Sequence, residues 1–129
     1  MKYIGTKEVE ATPMTAKEAA QKGYRVSNNA KEDGYEVIYK DGYKSWSPKE
    51  VFDEAYRRSE TYRDRMAIEY EALQSKYREL NQFLNRDSTA YPEHLDKFGV
   101  FLAKEQLLLM ERYMEILKTR FYHPSVKEE

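Results

Sequence analysis

The chain has 129 residues, a formal net charge of −1 and no cysteine. That length fits one domain, or one small domain with an appendage. The absent cysteines exclude a disulfide framework, a thiolate zinc site and a cysteine nucleophile, and the balanced charge excludes whole-molecule attraction to nucleic acid or to an anionic membrane. Charged residues make up 35% of the chain and the mean hydropathy is −0.94, values that border on disorder. Twelve tyrosines, five phenylalanines and a tryptophan argue for a folded protein with a polar surface, because disordered chains are poor in aromatics. No apolar run approaches the roughly 18–20 residues that span a bilayer. The opening residues 1–11 are charged throughout and lack the apolar centre of a secretory signal, so a cytoplasmic location is expected.

Composition divides the chain near Ser47. Four of the five glycines and two of the four prolines lie in residues 1–48, which predicts strands and turns there and long helices beyond. Residues 2–11 alternate loosely and read as a strand ended by Pro13. Thr15 and Glu18 form a capping-box pattern that opens a short helix, and Gly23 closes it. Residues 27–33 read as a polar loop. Tyr35 to Tyr39 and Tyr43 to Trp46 flank Asp41-Gly42, a hairpin pattern that predicts a type I′ turn. Two strands alone are marginal, so the first strand is expected to pair with them.

Ser47-Pro48-Lys49-Glu50 reads as a helix start, with Ser47 as cap and Pro48 in the first turn. From there to Asn85 the pattern predicts about 35 helical residues, about 50 Å long, unless a break falls near Ser59–Thr61. Met66, Tyr70, Leu73, Tyr77, Leu80 and Leu84 recur at 4-3-4-3-4 spacing and define a heptad seam. Continued backward, the seam passes Arg63, Ser59, Tyr56 and Phe52. Residues 85–91 form a polar turn, and a second helix is expected from about Pro92 to Phe121. It carries two adjacent stripes: Ala103, Leu107, Met110, Met114, Leu117 and Phe121, then Leu102, Gln106, Leu109, Tyr113, Ile116 and Arg120. Such an apolar arc is wider than one partner helix can cover, which points to self-association, packing on the β-segment, or both. The expected fold is thus α+β: a small antiparallel N-terminal sheet of about three strands with a short helix, then a long antiparallel two-helix hairpin that oligomerises. The units are residues 1–47, 48–122 and a tail at 123–129.

Chemistry is sparse. His94 and His123 do not share a helix face, and no phosphate-cradling glycine loop, GxSxG or HExxH motif is present. Neither a metal, a cofactor nor catalysis is expected. Glu69, Glu71, Glu111 and Glu115 read as solvated helix charge. The informative residues are polar ones on apolar seams. Gln106, Tyr113 and Arg120 lie seven apart among Leu102, Leu109 and Ile116. Arg63 and Ser59 are their counterparts on the first helix, inside an arginine-rich run containing Arg57, Arg58, Arg65 and Tyr62. A charge on an apolar interface must be paired or used. Arginine forks suit phosphate and aromatic faces suit bases, so one reading is a nucleotide-phosphate site between subunits. The other is ion pairing with Glu60, Asp64, Glu111 and Glu115. Phe83, before Asn85-Arg86, is either core or a stacking platform at the turn.

Residues 65–84 and 101–121 resemble the two arms of the helical hairpin shared by phage anti-CBASS and Thoeris anti-defence sponge proteins. The resemblance rests on Arg65, Glu69, Leu73, Lys76, Leu80 and Phe83, and on Leu102, Gln106, Met110, Tyr113, Ile116, Leu117, Arg120 and Phe121. The opening residues and the segment DGYKSWSPKEVFDEAYR resemble a small β-module of phage proteins, a layout similar to the Thoeris type. The resemblance implies a homo-hexamer, a trimer of dimers, that sequesters cyclic ADP-ribose isomers without degrading them, with cyclic di- or trinucleotides in separate pockets. It implies stacking by Phe83, phosphate binding by Arg112 and Arg120, a polar contact from Asn85, and a second, axial site at Arg57, Arg58 and Arg65. Tyr113 and Gln106 complete the expected ligand set, with no DNA or RNA polymer and no membrane as partner. Two features depart from the pattern: Glu79 stands where bare-hairpin relatives tend to have a basic residue, and the turn is longer. The competing expectations are a coiled-coil structural or adaptor protein without a small-molecule ligand, and an enzyme that cleaves such ligands.

Overall fold

A computed structural model describes residues 1–26 and 32–123. The loop expected at residues 27–33 and the tail expected at 123–129 lie largely outside the described residues. The α+β class holds. The chain divides into two compact units, Met1–Arg57 and Arg58–Glu129.

The first unit contains strands β1 (Glu10–Pro13), β2 (Gly34–Ile38) and β3 (Lys44–Pro48), with helices α1 (Ala16–Gln21) and α2 (Lys49–Ala55). The strands form an antiparallel sheet in the order β1-β2-β3. Thr15 caps α1 by accepting from the Glu18 N–H, and Gly23 follows the helix at φ 89°. Both match the sequence signals. Met14, Ala16, Ala19 and Trp46 make a small core, flanked by Tyr24 and Val26. The Trp46 indole N–H donates to the Met14 carbonyl at 2.8 Å, so the ring is buried without an orphaned donor.

Three local expectations are corrected. β1 covers Glu10–Pro13 rather than residues 2–11, because its register starts at Glu10 opposite Ile38 and β2 ends there. The hairpin turn is not type I′. Among the described residues no non-glycine residue has positive φ, and Gly42 alone in this turn takes it, at 88°. The bonds from the Gly42 N–H to the Tyr39 carbonyl and from the Tyr39 N–H to the Tyr43 carbonyl define a three-residue loop with a glycine bulge. The Asp41 carboxylate accepts from the Tyr43 N–H, an arrangement that needs no left-handed aspartate. Ser47 is not a helix cap, since it pairs with Tyr35 in the sheet and Pro48 occupies the cap position. The break allowed for near Ser59–Thr61 is present, since α2 ends at Ala55 and α3 begins at Tyr62. Phe52 stacks between Tyr35 (4.4 Å) and Tyr56 (4.8 Å), so the backward extension of the heptad seam instead ties α2 to β2.

In the second unit, α3 (Tyr62–Leu84) and α4 (Lys97–Tyr122) are joined by a turn containing a short 3₁₀ segment, Ser88–Ala90. Thr61 and Asp64 form a reciprocal capping box that starts α3. Burial opposes ionisation of Asp64, but N–H groups of Thr61 and Glu60 and the Arg58 charge hold its carboxyl below the usual range. The second long helix begins at Lys97, not Pro92, because Asp96 caps it through the Gly99 N–H. Arg63 meets Phe121 and Arg120 meets Tyr62, so the start of α3 lies beside the end of α4 and the pair is antiparallel.

Gly34 has no room for a side chain: a Cβ there would lie 2.3 Å from the Ser47 carbonyl and 2.5 Å from the Trp46 ring. Gly34→Ala is expected to destabilise the sheet unit by about 1–3 kcal/mol, read from the urea midpoint of Trp46 fluorescence. The Tyr24 hydroxyl donates to Glu36 at 2.7 Å, which holds the Glu36 carboxyl low and the tyrosine high. Because the carboxyl is lowered, its contribution is present above the ordinary carboxylate range and is lost as pH falls through the folded value. The raised tyrosine contributes below its ordinary range and loses this contribution as pH rises through its folded value. Glu36→Gln should therefore flatten the acid limb of the same fluorescence-monitored stability curve.

Candidate functional site

The facing sides of α3 and α4 are the seams read from the heptads. Met66, Tyr70, Leu73, Tyr77, Leu80 and Leu84 on α3 are buried or half-buried. So are Ala103, Leu107, Met110, Met114, Leu117 and Phe121 on α4. Leu117 is the centre, at 1% exposure.

All six members of the other α4 stripe are exposed. Leu109 is 70% exposed, and Leu102, Tyr113 and Ile116 are also open, with Phe98, Phe101 and Leu108 beside them. Gln106, Tyr113 and Arg120 share this uncovered face. It forms because a helix of this length presents two apolar stripes and α3 covers one of them.

Guanidinium–aromatic contacts of the hairpin lie at its two ends. At the open end, the Arg63 guanidinium lies 4.4 Å from the Phe121 ring centre, and that of Arg120 lies 5.2 Å from Tyr62. Arg63 Nε is buried without a hydrogen-bond partner. Beside this pair a groove of about 340 Å³ is lined by Met66, Ala67, Tyr70, Leu117, Lys118, Phe121 and Tyr122. At the turn end, Phe83 stacks on Tyr91 at 5.4 Å and Arg86 lies 5.4 Å from the Phe83 ring centre. The Tyr91 hydroxyl donates to the Leu84 carbonyl, which fixes that ring against the end of α3. Asn85 caps α3, is exposed, and donates to the Asn81 side chain at 3.3 Å.

The expected site residues are therefore dispersed. Phe83 and Asn85 stand at one end of the hairpin and Arg120 at the other, about 30 Å away at 1.5 Å per helical residue. Arg112 and Tyr113 lie between the ends on α4, and Gln106 lies nearer the turn. The groove beside Arg63 and Phe121 is lined by none of Phe83, Gln106 and Arg120. Arg112 pairs with Glu115 at 3.2 Å, and Arg58 pairs with Glu60 at 3.0 Å and with Asp64 at 3.4 Å. The ion-pair alternative thus holds for Arg58 and Arg112, although such exposed pairs are worth little and exchange readily. Arg65 is exposed in the first turns of α3. Arg57 belongs to the first unit, where it donates to the carbonyls of Asp53 and Tyr56. Sequence reasoning missed Tyr91. Its signal was the spacing of an aromatic eight residues past Phe83, across a turn.

Among the described residues no group of three or more His, Asp or Glu side chains could hold a metal. No helix among them is long and apolar enough to cross a membrane. The class defined is a small β-unit followed by an antiparallel helical hairpin with one apolar seam uncovered. Residues 60–122, which span that hairpin, match the Sequestin family model, so the helical unit is similar to that phage anti-defence sponge family. No curated protein and no solved structure matches the chain.

The two faces of α4 should respond differently to truncation. Leu117→Ala is expected to cost about 2–5 kcal/mol, seen as a drop in the helical circular-dichroism melting temperature. Leu109→Ala, on the uncovered face, should change stability of the dissociated chain by no more than about 0.5 kcal/mol.

Proposed function

We propose that the protein is a phage anti-defence sponge: it binds cyclic nucleotide immune signals and holds them without degrading them. Cyclic ADP-ribose isomers linked 1''-2' or 1''-3' are the principal ligands and cyclic di- or trinucleotides further ones. Inhibition of Thoeris immunity, and of CBASS where cyclic oligonucleotides bind, would follow in the host cytoplasm during infection. The observation that carries this reading is the uncovered α4 stripe, with Gln106, Tyr113 and Arg120 set among exposed leucine and isoleucine on a hairpin similar to the Sequestin family.

Covering that stripe with a second copy supplies the missing geometry. When two α4 helices pack antiparallel, the turn end of one hairpin lies beside the open end of the other. Phe83 and Asn85 of one copy then approach Arg120 of the second, and a ring-shaped anion fits between a stacking face and a guanidinium fork. Stacked on Tyr62, Arg120 keeps its N–H edge for phosphate. Arg112 can exchange its exposed partner Glu115 for a phosphate at small cost. Two such dimer contacts per pocket set suit a closed assembly, here a hexamer built as a trimer of dimers. Arg57, Arg58 and Arg65 are proposed for a second, axial site.

The test incubates the protein with each cyclic ADP-ribose isomer and with cyclic oligonucleotides, removes free ligand by gel filtration, and releases the remainder by heat. Intact ligand in the released fraction is the expected result, and a cleaved product would establish an enzyme instead. Arg120→Ala should weaken retention about 10–100-fold, while the melting temperature hardly moves, because exposed cation–π contacts are worth about 0.5–1 kcal/mol. A second reading, a coiled-coil adaptor without a small ligand, draws on the carboxylate partners of Arg58 and Arg112. It predicts that Arg120→Ala and Arg112→Ala alter assembly mass with no cyclic nucleotide retained by any form.

A further inference from the structure

Residues 1–8 precede β1, belong to no strand and are exposed throughout. Tyr3 is 83% and Ile4 98% exposed. The segment leads into β1, the edge strand of the sheet, and β2 ends at Ile38 opposite Glu10. Ladder pairing to β2 therefore stops where this segment begins. The Lys7 ammonium lies 5.1 Å from the Tyr39 ring centre, which holds the segment against the hairpin turn. Tyr3, Ile4 and Thr6 favour extended backbone beside an open sheet edge, and an open edge is a template for another strand.

We propose that this segment and β1 pair antiparallel with the same stretch of a second copy, joining two three-stranded sheets into one of six strands. The sequence selects its own copy through a two-fold register centred on Thr6. In that register Lys2 faces Glu10, Tyr3 faces Val9, Ile4 faces Glu8 and Gly5 faces Lys7. Opposite charges meet at both ends, and an aromatic meets a β-branched residue on one face, both favourable cross-strand pairs. Gly5, with no side chain, leaves Lys7 free to remain over Tyr39. Moving the centre to Lys7 or Glu8 would set like charges directly opposite each other. The charges that would repel a foreign strand thus admit this one. The surface is separate from the α4 seam and does not depend on the sponge reading. A chain with two self-complementary faces can build closed assemblies larger than a dimer.

The natural absence of cysteine makes the test direct. In the proposed register the two Thr6 Cα atoms lie about 4.5–5.5 Å apart, within the span a disulfide bridges. The two Tyr3 positions lie about 20 Å apart at strand rise. Full-length Thr6→Cys, oxidised with glutathione disulfide, should run as a covalent dimer on a non-reducing gel, forming at least about ten times faster than dimer from Tyr3→Cys. Adding Lys2→Glu should slow the Thr6→Cys cross-link, and adding Glu10→Lys as well should restore it. Equal cross-linking of the two cysteine variants, no dimer from Thr6→Cys, or no response to the charge swap would overturn the proposal. Recovery of bound cyclic nucleotide by the same variants reads the sponge proposal separately.

Discussion

The second unit is governed by a mismatch between one helix and its neighbour. Helix α4 carries two apolar stripes side by side, and α3, with a single seam, can dry only one of them. Leu117 at the centre of the dry stripe and Leu109 on the wet one are eight residues apart on the same helix, yet their environments are opposite. Apolar area left in water is a standing drive toward association, at roughly 25 cal/mol per Å² that a partner could cover. The polar residues set into the wet stripe gain their significance from this. On an ordinary solvated face Gln106, Tyr113 and Arg120 would carry no information. On a face that a second helix would cover in the proposed assembly, each has to find a partner or a ligand.

The charged groups follow the same logic at the ends of the hairpin. Arg63 and Arg120 rest on aromatic rings rather than on carboxylates, so their planar faces are occupied while their edges still offer donors. At the turn, Arg86, Phe83 and Tyr91 form another guanidinium–aromatic cluster. The two clusters are separated by nearly the full length of α3, too far for one small ligand. Under the proposed function, ligand binding and assembly are coupled: a pocket that uses both ends would form only where chains meet, and little ordering would then oppose binding.

Much of the fold was legible in the chain. The heptad spacing of Met66 to Leu84 and of Ala103 to Phe121 marked the two buried seams residue by residue, because the period of apolar side chains is a direct image of one helix face. Thr15 and Gly23 marked α1, for equally local reasons. The break between α2 and α3 was written in Thr61 and Asp64, near where the sequence allowed for one, while the spacing of Phe52 and Tyr56 mimicked a continued seam. Those rings serve the sheet through Tyr35, a contact between positions 17 residues apart that no periodicity reports. The hairpin turn went astray for a similar reason. Asp-Gly is compatible with more than one loop length, and the pairing of Ile38 with Lys44 decides between them.

By itself the sequence determined element type, the two apolar stripes of α4 and the residue types available for anion binding, since these depend on spacing and side-chain chemistry along one chain. The tertiary structure decided which stripe is covered, that Ser47 pairs in the sheet instead of capping a helix, and that Arg63 and Arg120 stack on Phe121 and Tyr62 while Phe83 stands at the opposite end. Those outcomes depend on which distant segments meet, and a local pattern that fits several partners equally well holds no information about which one it will find.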